Sequence, residues 1–309
     1  MSPTAFPMAQ RAMYWNSLND RLRAQYGTKV YKLALSSGCS CPNRDGTLGS
    51  RGCIFCDGAG AFAETGDIPA QLRRAKARVA AKAGTDCRYI AYFQSFTNTY
   101  GPVERLRTLY RQAMADPEVV ILSIATRPDC LGPEAMELLA ELNEVKPVWV
   151  ELGLQTIHPA SANYIRRGYD LPVFDAAVRK LHAVGVEVIV HQILGLPGES
   201  ADMMAQTAQY IGQSGADGIK FHLLHVLRGT DLAAQWQAGN VPVMELEEYI
   251  SALEDCVRHI PREMVVHRLT GDGAKRDLLA PLWSGDKKRV LNAVHAAFLR
   301  DNVEQGSAL

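Results

Sequence analysis

Six short apolar or β-branched runs recur along the chain, each followed by a stretch with helical spacing. They are Lys29–Leu35, Tyr89–Phe93, Val119–Ala125, Pro147–Leu152, Val186–Leu194 and Gly218–His225. The fifth, VEVIVHQILG, is nearly continuous in apolar residues, as a strand buried on both faces reads. Between the runs, Phe174, Ala177, Val178 and Leu181 fall on one stripe of a predicted helix over Pro172–Val184. Met203, Thr207, Tyr210 and Ile211 repeat the spacing less regularly. Asp116–Pro117, Gly132–Pro133 and Gly185 punctuate the elements. Such alternation predicts an α/β fold of parallel strands joined by right-handed crossovers. A partial (β/α) barrel and a doubly wound open sheet both satisfy it. Beyond Thr230 helices are expected and no strand: Leu246, Tyr249, Ile250, Leu253, Val257 and Ile260 mark one helix, and Lys287–Leu299 a second. The expected division is an N-terminal arm (1–28), an α/β core (29–230) and a helical C-terminal extension (231–309).

Composition adds little to this picture. The chain has 309 residues, 47% hydrophobic and 21% charged, with a formal net charge of zero. Global charge therefore does not single out a polyanionic partner. No apolar run approaches the roughly 20 residues needed to span a bilayer. The opening MSPTAFPMAQRAMYW lacks the apolar stretch of a secretory signal. A cytoplasmic location is the expectation.

The cysteines change the picture. There are seven: Cys39, Cys41, Cys53, Cys56, Cys87, Cys130 and Cys256. An odd number with four crowded together does not read as a disulfide framework; a metal or cluster site fits better. The segment 39–62, CSCPNRDGTLGSRGCIFCDGAGAF, holds C-x11-C-x2-C at Cys41, Cys53 and Cys56, with Gly46, Gly49, Gly52, Gly58 and Gly60 around it. It directly follows the first strand, which in an α/β barrel is the rim where active sites sit. Three thiolates on flexible backbone suit a [4Fe–4S] cubane with one iron left open. That iron could chelate the amino and carboxylate groups of S-adenosylmethionine (SAM), whose sulfonium one electron would cleave to a carbon radical. Phe55 would lie near the adenine. The cysteines alone leave a structural zinc site open, because Cys39 could supply a fourth ligand. Only Ser40 separates Cys39 from Cys41, a cramped arrangement for two ligands of one cluster, so Cys39 is read as a non-ligand.

CPNRDGTLGSRGCIFC resembles the cluster loop of a bacterial radical SAM family related to the catalytic subunit of Elongator. YFQSFTNTYGP (92–102), SIATRPDCL (123–131), VWVELGLQTIH (148–158), HQILGLPGE (191–199) and IKFHLLHVLRGT (219–230) resemble blocks of that family in its order. The resemblance implies a partial (β/α)6 barrel with the cluster on Cys41, Cys53 and Cys56. It places Gln94, Ser95 and Asn98 near the methionine end of SAM and Arg127 beside its carboxylate. Glu151 and Gln155 would reach its amino group or ribose, and Gly195, Leu196, Pro197 and Gly198 would lie against adenine. It implies a radical SAM enzyme that cleaves SAM reductively to a 5′-deoxyadenosyl radical and draws on an electron donor such as flavodoxin or ferredoxin. Some members of the family are linked to wobble-uridine modification in tRNA, which makes tRNA the expected substrate. Cys39 stands where the family usually has an aromatic or aliphatic residue. The helical extension leaves no room for an acetyltransferase domain, so no acetyl-coenzyme A chemistry is expected.

Other signals are weaker. Tyr100, His222 and His225 are the catalytic candidates, and His191 lies on a strand. His222 and His225 are an odd number of positions apart and should face opposite ways. A Gly195–Glu199 turn taken alone is most often a simple βα loop. QLRRAKARVAAK (71–82) predicts a basic helix whose Arg73, Arg74, Lys76, Arg78 and Lys82 could meet RNA phosphate, although such runs are usually a solvated face. Two other function classes fit the same residues: a radical SAM enzyme acting on a porphyrin, peptide or small metabolite, and a metal-stabilised nucleic-acid-binding protein without catalysis.

Overall fold

In a computed structural model of the chain, seven parallel strands curl into a half-barrel with helices on its outer face. The structure describes residues 14–57, 66–83, 86–271, 273 and 275–309. Gly58 and Gly60, and the first 13 residues of the arm, lie outside the described residues. The strands are β1 (Val30–Ser36), β2 (Arg88–Ser95), β3 (Val119–Thr126), β4 (Val148–Gln155), β5 (Glu187–Leu194), β6 (Gly218–Leu223), β7 (Val226–Leu227), β8 (Val265–Arg268) and β9 (Leu278–Ala280). The helices are α1 (Leu18–Tyr26), α2 (Ile68–Ala83), α3 (Val103–Met114), α4 (Pro133–Asn143), α5 (Pro159–Tyr164), α6 (Leu171–Ala183), α7 (Ala201–Gln213), α8 (Asp231–Gln237), α9 (Leu246–Arg258) and α10 (Lys287–Arg300). The sheet runs β1-β2-β3-β4-β5-β6-β8, and β7 pairs with β9 in a separate antiparallel ribbon.

Of the two architectures that the strand pattern allows, the chain adopts the partial barrel, and its first six strands are those expected. Its seventh is a correction. β8 comes from the C-terminal stretch expected to be helical and pairs parallel with β6, Gly218 opposite Val265. β9 is a second strand in that stretch. Among the described residues, no helix is long and apolar enough to cross a membrane.

Alternation along each strand makes two cores. Along β5, Val188, Val190 and Leu194 point to the helices, while Ile189 and His191 point into the lumen. The β-branched side chains suit this doubly buried position. α6 carries Pro172 in its first turn and buries Phe174, Ala177, Val178 and Leu181 against the outer face. Phe174, Val178 and Leu181 each contribute about 1.5–3 kcal/mol. Gly185, at φ +73°, then turns the chain into β5.

The lumen is layered. Its bottom is apolar: Ile90, Ile121, Trp149, Ile189 and Val265 pack together, closed from outside by Leu18 and Leu22 of α1. Two residues further along several strands the inward positions become polar, at Tyr92, Ser123, Glu151 and His191. Above these, at the C-terminal strand ends, the cavity opens under the cysteine loop.

Candidate active site

The cavity has a volume of about 300 Å³, within the range of small-molecule sites. Cys41, Cys53 and Cys56 line its mouth. All three are free and half-buried. The loop that carries them is closed by its own backbone: Arg44 N–H donates to Cys41 O at 2.8 Å, Gly52 N–H to Asn43 O at 2.7 Å and Cys56 N–H to Cys53 O at 3.0 Å. Gly52 takes φ +75°, and a Cβ there would come within 3.0 Å of the Arg44 guanidinium. The Arg44 side chain donates to Cys56 O at 2.7 Å and lies over the Phe96 ring.

The loop is also clasped from outside. Asn43 Nδ2 donates to Arg166 O at 2.7 Å and reaches Cys53 Sγ at 3.5 Å. Ile54 N–H donates to Ile165 O at 3.3 Å, and Leu232 N–H to Ile54 O at 3.0 Å. Arg166, itself left-handed at φ +60°, pairs with Asp231 at 2.6 Å, and Arg51 reaches the same carboxylate at 3.4 Å. The thiols are thus fixed by the end of α5 and the start of α8 as well as by β1.

Cys39 is turned elsewhere. It is buried in the outer core, with its Sγ 3.7 Å from Arg105 Nη1, and does not line the cavity. The donor set at the mouth is therefore three thiols. Burial pushes the Cys53 thiol up to about 11, and the nearby Cys56 and Cys41 sulfurs add to the shift. Crowded thiols of this kind need a metal to become thiolates together. Among the described residues, no three His, Cys, Asp or Glu side chains are grouped to hold a single ion. The cysteines of a cubane each bind a different iron, so their sulfurs do not have to converge on one point. The set fits three irons of a cluster with the fourth left open.

The strand ends above the lumen form the rim. Gln94, Ser95, Arg127 and Gln155 all line the cavity. Ser95 Oγ is buried without a hydrogen-bond partner among the described residues. Gln155 is left-handed at φ +70°, a conformation a non-glycine residue holds only under strain, and a Cβ on Gly153 would meet its Nε2 at 2.9 Å. An orphaned hydroxyl, a strained strand end and a glycine that keeps space open are the marks of a ligand cradle. Arg127 is gripped bidentately by Asp129 at 2.9 and 2.7 Å and lies over the Tyr169 ring. Phe55 lines the mouth and packs on the cluster of Ile54, Ile165 and Leu196.

Several expected contacts lie elsewhere. Asn98 is fully buried, donates to Phe93 O and Ala125 O, and accepts from Ser37 Oγ; its amide holds the β2 loop and does not reach the cavity. Gly195, Leu196, Pro197 and Gly198 do not line the cavity. Gly195 is packed against Met244, where a Cβ would meet Sδ at 2.8 Å. Tyr100 bonds Thr47 Oγ1 at 2.9 Å on the outer side of the loop. His222 lines the cavity and His225 does not; β6 ends at Leu223, so strand alternation does not extend to His225. On α2, Arg73, Arg74, Arg78 and Lys82 are exposed. Lys76 is half-buried, paired with Asp116 and Glu118 at 2.6 Å each, and so leaves the basic face.

Glu151 lines the same cavity as Gln155 but lies deeper, midway along β4. It is fully buried and accepts from Lys32 at 3.1 Å, Ser123 Oγ at 2.7 Å, His191 Nε2 at 2.8 Å and Lys220 Nζ. Burial alone would raise its pKa; Lys220, Lys32 and the His191 hydrogen bond reverse this and hold it well below the usual carboxylate range. Both lysines also lie over the Tyr92 ring, at 5.2 and 4.4 Å. Lys32, Lys220 and Arg268 are site residues that sequence reasoning missed. For the two lysines the signal was there: a charge inside an otherwise apolar parallel strand demands a buried partner.

The model of the radical SAM superfamily matches residues 46–211, and that of the Radical_SAM C-terminal domain matches residues 216–300. The chain belongs to the radical SAM superfamily. It is an enzyme, and the cofactors of its family are a [4Fe–4S] cluster and SAM. The protein YtqA of Bacillus subtilis is 44% identical to it over 299 residues, covering 96% of this chain and 92% of that one. A tRNA uridine(34) acetyltransferase of Methanocaldococcus jannaschii is 27% identical over 161 residues, covering 51% of this chain and 29% of that one. Among solved structures, the archaeal Methanocaldococcus infernus Elp3 superposes with a TM-score of 0.66 at 19% identity, over 89% of this chain and 64% of that chain. At that identity the likeness shows the fold. These matches agree with the Elongator-like resemblance of the sequence blocks.

Proposed function

We propose that this radical SAM enzyme modifies tRNA at the wobble uridine or its side chain, with its cluster on Cys41, Cys53 and Cys56. The observation that carries the assignment is the placement of three free thiols, and no fourth among the described residues, at the mouth of a cavity lined by strand ends. When bound, the cluster supplies an electron and SAM supplies the radical that takes a hydrogen atom from the substrate. The chain's own residues hold and shield these groups. Asn43 brings an N–H donor to Cys53 Sγ, which favours its thiolate, and Arg44 ties the loop through Cys56 O. Ser95 Oγ and Gln155 offer polar atoms at the rim, and Arg127, fixed by Asp129 and Tyr169, offers a positioned cation. The apolar plug under the floor closes the lumen from below. The tRNA part of the proposal draws on the uridine(34) acetyltransferase relative and the exposed arginines of α2.

The test is a mass-spectrometric comparison of tRNA nucleosides from cells with and without the protein, complemented by wild type or by Cys53→Ser. One wobble-uridine derivative should change and be restored by wild type alone. Unchanged nucleosides, with SAM cleavage intact in purified protein, would move the substrate to another class.

A further inference from the structure

Asn43 stands between two acceptors. Its side-chain Nδ2 donates to Arg166 O at 2.7 Å and reaches Cys53 Sγ at 3.5 Å, and that sulfur lies 3.9 Å from the same carbonyl. A primary amide has two N–H donors, one for each partner. While Cys53 is a thiol, its own S–H can serve the carbonyl. Once it is a thiolate, sulfur and carbonyl oxygen are both acceptors facing one another, and the amide is the group that satisfies the two at once.

The surroundings fix which way that amide points. Asn43 is buried at 5% exposure, and its own carbonyl accepts from Gly52 N–H at 2.7 Å. A backbone carbonyl cannot donate, so the amide nitrogen, and not the amide oxygen, must face Arg166 O. Arg166 holds its carbonyl there from a left-handed backbone at φ +60°, a conformation that costs a non-glycine residue about 1–3 kcal/mol. Its guanidinium is tied to Asp231 at 2.6 Å, which anchors the strained residue to the start of α8. The amide oxygen faces Gly168, at φ +79°, where a Cβ would come within 3.0 Å of it. A strained arginine, its ion pair and a glycine thus all serve the orientation of one side chain beside one cysteine sulfur.

We propose that Asn43 is a positioning residue that raises the reduction potential of the cluster through its hydrogen bond to Cys53. The proposal rests on the cluster assignment made above. One-electron reduction adds a negative charge to the iron–sulfur core, and part of that charge resides on the cysteine sulfurs. An N–H dipole aimed at one of them stabilises the reduced state more than the oxidised one, and so moves the potential upward. The electron itself comes from the external one-electron donor that SAM cleavage requires; Asn43 makes the cluster easier for that donor to reduce.

The test is a redox titration of anaerobically reconstituted enzyme without SAM, followed by the electron paramagnetic resonance of the reduced cluster. Asn43→Ala should be about tenfold harder to reduce than wild type, a midpoint about 59 mV more negative for a one-electron couple. A second measurement needs no variant. Wild type carrying 15N in its asparagine side-chain amides should show a hyperfine coupling between that label and the reduced cluster, transmitted through the N–H···S bond and absent from labelled Asn43→Ala. A role in loop structure alone would give neither the coupling nor the shift. Equal midpoints in wild type and Asn43→Ala, with full iron in both, overturn the proposal. So does a reduced wild-type cluster without coupling to the label, and that reading decides the matter if Asn43→Ala holds no cluster. Iron and sulfide contents separate this proposal from the one it rests on. Wild type that takes up no iron overturns the cluster assignment and the role of Asn43 with it. Full iron without the coupling overturns the role of Asn43 and leaves the cluster assignment standing.

Discussion

Cys39 and Cys41 are separated by one residue, yet one enters the outer core and the other lines the cavity. That divergence separates a three-thiol site from a four-thiol one. Cys41→Ser, Cys53→Ser and Cys56→Ser should each bind far less iron and sulfide after reconstitution than wild type. Cys39→Ser should bind as much as wild type and lose about 1 kcal/mol in urea unfolding, the cost of a hydroxyl where a thiol was buried. Loss of iron in Cys39→Ser equal to that in Cys41→Ser would return the site to a four-ligand metal knuckle. Glu151 teaches the complementary lesson at the same scale. That it lies on β4 was legible from the sequence, but the strand runs on to Gln155, so it sits mid-strand and not at the end where the apolar run stops. Its depth was not legible, because depth depends on which neighbouring strands supply cations.

At the scale of elements, the six strands and the cysteine loop after β1 were legible because continuous apolar runs and crowded cysteines are strong local signals. β8 was not. Val265–Arg268 is four residues long, a run that periodicity cannot separate from a helix fragment, and it is a strand because β6 offers an open edge. Its cost to the candidate site was Arg268, the one cavity-lining residue from the C-terminal stretch among the described residues. The helix α2 was legible as a basic face, and the structure divides that face. Arg73 and Arg78 are exposed, whereas Lys76 bridges α2 to Asp116 and Glu118 and lies 4.9 Å over Tyr89. Arg73→Gln with Arg78→Gln should weaken tRNA binding and lower its log–log salt slope by about 1 for each phosphate that is no longer neutralised. Lys76→Met should leave that slope unchanged and cost about 1–2 kcal/mol of stability, from two ion pairs and a cation–π interaction. Equal slopes for wild type and the double variant would remove α2 from the RNA interface.

The whole molecule is a barrel built around charge, and it should therefore unfold more easily in acid for a reason that can be traced. His191 sits in the lumen against Glu151, Lys220, Lys32 and His222. Burial pulls its pKa down to about 4; Lys220 and Lys32 act in the same direction, and Glu151 opposes them. The unfolded chain titrates near 6.5. The folded pKa is the lower one, so the stability it contributes is intact above pH 6.5 and is lost as pH falls toward 4. Between pH 7 and pH 5 the loss amounts to about 2 kcal/mol. Glu151 is also depressed, but its contribution is lost only below the ordinary carboxylate range, outside this window. His222 and His267, likewise pulled down by burial, titrate in the same window. Comparison with His191→Gln removes this titration, because the amide can still donate to Glu151 and does not titrate, while His267 acts equally in both proteins and His222, held down chiefly by burial, loses only the smaller contribution of His191. Urea unfolding of the two at pH 7.0, 6.0 and 5.0 should show wild type losing about 2 kcal/mol more than the variant. Parallel loss in the two would mean that His191 protonates in place, and that the floor of the barrel accepts a further positive charge without cost.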